Sequence, residues 1–397
     1  MNSLALDTIR ASRRLWLAQT AALTLCFSAN SFGQEKQQAD GSKLIVRQED
    51  PYNAEPELPA LVKSYITPVE QFYVRSHGAV PKVDADSFKV KVSGLVNREL
   101  EFSVAELKDK FDTHQITATL TCAGNRRQEM SAIKKVGGVQ WDAGAIGNAQ
   151  WTGPLLAEIL AAAELKPGAK HVWLEGLDPI KEKDGSEAPF GGSIPLEKAL
   201  AREGRNLPSV LAHSMNGKPL TAEHGAPLRL VVPGYIGARS VKWLAKIVVS
   251  DKPSTNHFLA EAYKIIKTED KDELAKAPPI YEYAINAAIA LPTEGTKLKA
   301  GEQTFRGYSL AEGDADSFVT KTEISLNNGR TWEPIRSFGG SNTFAWRLWE
   351  ANVKILPGKQ TLIVRTFSNN SQMPEKMDWN MKGYMYNAWH RVRVEGV

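Results

Sequence analysis

The residues best placed to do chemistry sit in the stretch TLTCAGNRRQEM, Thr119 to Met130, where Cys122 is followed closely by Arg126 and Arg127. A thiol near fixed positive charge loses its proton more readily, and the thiolate is the form that attacks electrophiles and binds soft metals. The preceding ITATL (116–120) has strand composition, and Cys122-Ala-Gly-Asn reads as a tight turn at the strand end, with Gly124 leaving room for another group to approach. Three readings compete: a buried structural cysteine, a nucleophile, or a metal ligand. Two adjacent arginines are costly beside a buried apolar thiol unless an anion is present.

The only other cysteine, Cys26, falls in an N-terminal stretch that reads as an export leader: Arg13 and Arg14 side by side, an apolar run from Leu15 to Phe27, then small residues before Gln34. This pattern predicts a twin-arginine signal over 1–33 and a periplasmic protein. Bulky Leu25 argues against lipidation at Cys26, and no segment reaches the roughly 20 apolar residues of a spanning helix, so no membrane anchor is expected. Twin-arginine export carries folded, often cofactor-loaded proteins. With the leader gone, Cys122 has no partner for an internal disulfide in an oxidising compartment. The 397 residues are 42% hydrophobic and 24% charged, with a formal net charge of +4. Removing a leader that holds Asp7, Arg10, Arg13 and Arg14 leaves +2, which argues against a general nucleic-acid binder.

The elements that must position the cysteine form two regions. From about Pro51 to Trp243 the pattern is mixed: FKVKVSG (88–94) alternates like a strand, and PLLAEILAAAEL (154–165) places Leu155, Leu156, Ile159, Leu160 and Ala163 at helical spacing behind Pro154. The polar, Gly- and Pro-punctuated segment 178–193 reads as a loop. From about Pro279 the chain turns to strands. SFVTKTEISLNNGRTWEPI (317–335) alternates Phe318, Thr320, Thr322, Ile324 and Leu326 on one face and turns at Asn328-Gly329, while 344–350 and 359–367 also alternate. The expected fold class is α+β: a mixed α/β domain over 34–278 followed by an immunoglobulin-like β-sandwich over 279–397.

TLTCAGNRR closely resembles the signature of the sulfite oxidase family of molybdenum enzymes. EQFYVRSH (70–77), EGLDPIK (175–181), GGSIPLEKAL (191–200), HGAPLRLVVPGYIGARSVKWL (224–244) and NAWHRVRV (387–394) resemble further family segments, in family order, across nearly the whole of the expected mature chain. The resemblance implies a molybdenum-molybdopterin cofactor whose metal is ligated by Cys122. It further implies that Phe72, Tyr73, Val74, Arg75, His77, Asp178, His224, Arg229, Ser240, Val241 and Lys242 bind that cofactor. It places Arg75, Arg127 and Arg391 around the oxyanion, with Tyr263 as hydroxyl donor and Trp141 as a wall. Ser76 stands where many members have Asn. Taken singly, each arginine reads as a surface salt bridge, Trp141 as core, and His224 as an ordinary histidine.

The implied activity is that of a sulfite dehydrogenase, oxidising sulfite to sulfate by oxygen-atom transfer at the molybdenum-pyranopterin centre. Electrons are expected to pass to a separate periplasmic cytochrome c, since no haem domain is expected and the chain has no Cys-x-x-Cys-His. The second region resembles the family's dimerisation domain, which implies a homodimer. Rival readings are a nitrate reductase or another oxyanion or S-oxide oxotransferase of the same fold, including a reductase of oxidised methionine. From other classes come a cysteine hydrolase pairing Cys122 with His213 or His224, and a non-enzymatic binding module.

Overall fold

The strand His114–Thr121 carries the cysteine. In the computed structural model it pairs antiparallel with Ile146–Gly153, Leu120 opposite Gly147 and Thr121 opposite Ile146. Ser214–Met215 and Lys218–Pro219 widen this sheet to four strands. Cys122 follows at its end, its amide donating to the Ala145 carbonyl at 2.9 Å. The described residues are 44–181, 187–202, 207–268, 270–340 and 343–397, and Ser42–Val397 forms one compact unit. The expected leader, with Cys26, lies outside them. Among the described residues, no helix is long and apolar enough to cross a membrane.

A second, five-stranded mixed sheet runs in the order Leu100–Phe102, Val90–Gly94, Lys246–Ser250, His171–Lys181, Glu187–Pro195, with Lys246–Ser250 parallel to Val90–Gly94. The alternation read in FKVKVSG is real: Val90 and Val92 are fully buried while Lys91 is exposed. Here the loop expectation for 178–193 fails. Strand His171–Lys181 runs into the segment, Glu187–Pro195 runs out of it, and Pro179 pairs with Pro189. Residues 182–186 lie outside the described residues. The expected helix forms as Leu156–Ala163, and all five apolar positions are buried. Pro154 stands before the N-cap instead of in the first turn. Glu158 Oε2 accepts the Leu155 amide at 3.2 Å, supporting the first turn.

The C-terminal region is one curled eight-stranded sheet, Asn286–Leu291, Gly301–Leu310, Arg347–Ile355, Glu333–Phe338, Val319–Ser325, Gly358–Ser368, His390–Gly396, Lys297–Leu298. It encloses its own core around Ile285, Phe305, Ile324, Trp349, Leu362 and Val392, and the curl brings the Ile289 amide to His390 Nδ1 at 3.2 Å. The expected hairpin forms: Asn328 and Gly329 both have positive φ (59° and 85°), and Val319–Ser325 pairs antiparallel with Glu333–Phe338. The expected face breaks down at its start. A register shift between Val319 and Lys321 leaves Phe318 and Thr320 exposed and buries Val319, because a bulge reverses which side later residues face.

Candidate active site

Cys122 opens onto a concave pocket. Its walls are Phe72, Tyr73, Arg75, Ser76 and His77, then Leu120, Cys122, Ala123, Asp178, Phe190, Glu223, His224, Arg229, Gly237, Ala238, Ser240, Lys242 and Tyr263. Of the expected cofactor-binding residues, Phe72, Tyr73, Arg75, His77, Cys122, Asp178, His224, Arg229, Ser240 and Lys242 line this space. Val74 and Val241 are buried behind it.

The turn after Cys122 shapes its sulfur's surroundings. The Gly124 amide points at Sγ from 3.4 Å, and Asn125 Oδ1 accepts the Ala145 amide at 3.0 Å. The two arginines part company. Arg126, in the left-handed region at φ 64°, turns away and makes a two-pronged pair with Glu129 at 2.6 and 2.8 Å. It also donates to Asn286 Oδ1 at 2.9 Å. The expectation that both cations flank the thiol is therefore corrected: only Arg127 folds back alongside. A Cβ on Gly124 would lie 2.5 Å from its guanidinium, and Gly138 and Gly383 press on it from other sides. Arg127 donates to the carbonyls of Val139 and Lys382 at 2.8 and 3.1 Å. The expectation that Arg127 meets the oxyanion is corrected as well: it does not line the cavity, and its guanidinium is engaged by those two carbonyls.

Two further expectations are corrected. Arg391 does not reach the cavity: in strand His390–Gly396 the period of two sends His390, Val392 and Val394 inward and Arg391 out to solvent, where it faces Glu375 at 3.9 Å. Trp141 is no wall; it is fully buried in the core cluster behind Cys122. Arg75 and Tyr263 do face the space. Arg75 is steered by Asn53 Oδ1 at 3.1 Å and by the Ser76 carbonyl. Tyr263 ends the π-helical turn Phe258–Ala262, its hydroxyl 2.9 Å from His77 Nε2. Burial pushes its pKa up, so it remains a phenol.

The electrostatics are those of an anion site. Arg229 is buried with carbonyl partners at His224 and Ser240 (3.1 and 3.0 Å), and burial lowers its pKa only to about 10, so it keeps its charge at neutral pH. Lys242 donates to Ser76 Oγ and the Glu223 carbonyl, both at 2.9 Å. Burial, with Arg229 nearby, lowers it to about 7. Two acids, Asp178 and Glu223, also line the space; Asp178 is raised by burial to about 6, and its Oδ1 is buried without a hydrogen-bond partner. His224 is driven by burial to about 3 and is neutral. Its Nε2 lies 3.3 Å from the Val69 carbonyl, so Nε2 holds the proton and Nδ1 the lone pair.

These residues fit a molybdopterin. Among the described residues, no group of three or more His, Cys, Asp or Glu could hold a metal. A single cysteine sulfur facing a pocket lined by several cations therefore suits a metal that brings its other ligands with it. Arg75, Arg229 and Lys242 meet the negative charge of a phosphate-bearing group, and the orphaned Asp178 oxygen awaits a donor.

The chain matches the oxidoreductase molybdopterin binding domain over residues 77–258 and the Mo-co oxidoreductase dimerisation domain over 277–396. It is 38% identical to chicken (Gallus gallus) sulfite oxidase over 88% of this chain and 77% of that one. The chain belongs to the sulfite oxidase family. Soybean (Glycine max) inducible nitrate reductase is similar too, 34% identical over 90% of this chain but only 42% of its own length. The sulfane dehydrogenase SoxCD structure from Paracoccus pantotrophus shares the fold, with a TM-score of 0.76 at 22% identity, covering 94% of this chain and 92% of that one. This chain is thus a molybdopterin-dependent oxidoreductase with an α+β fold ending in an immunoglobulin-like region.

Sequence reasoning missed Asn53, which holds Ser76 and Arg75 in place through its Oδ1 and Nδ2. It also missed Arg239 and Tyr384, which flank Tyr263. Asn53 and Tyr384 lie outside the segments that resemble the family, while Arg239 lies within 224–244, where only its neighbours Ser240, Val241 and Lys242 were singled out.

Proposed function

We propose that this chain is a sulfite dehydrogenase, oxidising sulfite to sulfate and passing electrons to a separate cytochrome c. The observation that carries the reading is the Cys122 thiol at the wall of a cavity where Arg75, Arg229 and Lys242 outnumber the acids Asp178 and Glu223. When bound, the molybdenum-pterin group supplies the oxygen-atom transfer and the two-electron redox change.

The chain's own residues do the rest. Cys122 provides the protein's sulfur ligand, while Tyr73, Arg75, His77, Asp178, His224, Arg229, Ser240 and Lys242 hold the pterin and its phosphate. Arg75, kept in place by Asn53, attracts the substrate dianion. Burial, with Arg75 and Lys242 nearby, holds the His77 pKa well below its ordinary value, so the ring is neutral. In the His77 tautomer that carries its proton on Nε2, that N–H donates to Tyr263 Oη and leaves the phenolic hydrogen to the oxyanion. Phe72, Leu120 and Phe190 keep water scarce around these charges.

The division at about residue 278 into a cofactor domain and a dimerisation domain, homodimer assembly, and twin-arginine export to the periplasm without an attached haem belong to the same proposal. The soybean relative favours nitrate reduction as the second reading. Sulfite-dependent reduction of cytochrome c by molybdenum-loaded protein tests the first: reduction is expected with sulfite, and its absence alongside nitrate turnover would reverse the order. Cys122→Ser is expected to abolish turnover while leaving the circular dichroism spectrum unchanged; retained activity would remove Cys122 as ligand.

A further inference from the structure

The last stretch before the final strand reaches back to the cavity. The Met385 amide donates to the Ala123 carbonyl, next to the cysteine, at 2.7 Å, and the Met381 amide to the Ile266 carbonyl at 2.9 Å. Between them, buried Asn380 fixes the Tyr384 backbone from both sides, its Oδ1 accepting the Tyr384 amide at 3.0 Å and its Nδ2 donating to the Tyr384 carbonyl at 2.9 Å. What this holds out is an aromatic ring. Tyr384 stacks on Tyr263 with centroids 5.1 Å apart and planes 17° from parallel. The Arg127 guanidinium covers Tyr384 from 5.1 Å, and Arg239 lies over Tyr263 at 5.6 Å.

The result is a ladder of cation, ring, ring and cation. Both ends are fixed: Arg127 by the Val139 and Lys382 carbonyls, Arg239 by Phe258 and Ile280 carbonyls at 2.8 to 3.1 Å. Each contact in such a stack is geometrically selective, so the inner rings have little freedom to tilt. No hydrogen bond reaches the Tyr384 hydroxyl from the described residues, so its ring is what the ladder uses.

We propose that Tyr384 is a positioning residue: by stacking between Arg127 and Tyr263, its ring holds the Tyr263 phenol at the angle that meets the bound oxyanion. This rests on the sulfite reading above and adds a residue that never touches substrate. Removing the ring frees Tyr263 to tilt away from His77 and the cavity.

The test compares Tyr384→Phe and Tyr384→Leu with native enzyme, all molybdenum-loaded and normalised per metal, by sulfite kinetics and by calorimetric titration with sulfate. The leucine variant is expected to raise the sulfite KM about tenfold and weaken sulfate by a similar factor, with a smaller change in kcat. The phenylalanine variant should behave like native, which a merely structural disturbance would not reproduce as a KM-against-kcat split. If the leucine variant fails to fold, Tyr384→Met takes its place. Unchanged KM and sulfate affinity without the ring would overturn the inference, as would equal impairment of Phe and Leu, which would give the role to the hydroxyl. A native enzyme that binds sulfate but does not oxidise sulfite refutes the functional reading alone, and the sulfate titration still decides the role of Tyr384.

Discussion

Replacing Gly124 with alanine puts a methyl group where Arg127 lies. The added carbon would stand 2.5 Å from one guanidinium nitrogen, 2.6 Å from its central carbon and 2.8 Å from the other nitrogen, inside any real contact distance. Gly138 and Gly383 close the other sides of the slot, so the arginine has no adjacent space and must leave. It then gives up its bonds to the Val139 and Lys382 carbonyls and its place over Tyr384. Hydrogen bonds from a charged group are worth about 1.5–3 kcal/mol each, and relaxation recovers part of that, so a net loss of about 3 kcal/mol is expected. With an unfolding entropy of ~2.1 cal/mol/K per residue over a unit of this size, Tm falls by roughly 4 °C. Calorimetry on Gly124→Ala measures this. A double-mutant cycle isolates the cause, since in an Arg127→Ala background the added methyl should cost nothing. A Gly124→Ala protein that melts like native, or an equal penalty in both backgrounds, would refute the slot as the device that fixes Arg127.

Three other outcomes follow from the geometry. Burial, against the pull of Glu129, lowers His390 to about 4, and its Nδ1 accepts a backbone amide. Its folded pKa lies below the unfolded 6.5, so the stability it confers is full above pH 6.5 and lost as pH falls towards 4. Over that window this amounts to about 3 kcal/mol, and His390→Gln should flatten the denaturant-midpoint profile there. Arg126→Met takes the cation away from half-buried Glu129 and the donor from buried Asn286, and should destabilise the fold by about 2–3 kcal/mol in chemical denaturation. Arg391→Ala, at an exposed position off the cavity, should leave sulfite KM unchanged.

Local signals were readable in the sequence, and long-range ones were not. The helix at 156–163 could be read because five apolar residues at helical spacing demand one buried face, and the hairpin because Asn328-Gly329 tolerates two positive φ values. The Cys122 turn could be read from its own residues. The strands inside 178–193 were hidden because Pro179, Pro189, Gly191 and Gly192 have turn composition. In the sheet, the glycines are there for close approach: a Cβ on Gly191 would meet the Leu174 carbonyl at 2.6 Å. Arg126 turns away through a local pair with Glu129, three residues on, and a bond to Asn286, far along the chain; only the second could not be seen locally. Arg391 is a different case, since the alternation of HRVRV already pointed it outward and family resemblance outweighed that pattern.

The turn that presents Cys122 is fastened by residues made much later. Arg126 ends on Asn286, Asn125 Nδ2 donates to the Tyr308 hydroxyl at 3.2 Å, and that hydroxyl donates to the Ala143 carbonyl at 2.9 Å. A ribosome must therefore finish most of the chain before the sulfur acquires its final surroundings. A fragment stopped at the first region would keep the turn's ties to Ala145 but lose those to Asn286 and Tyr308.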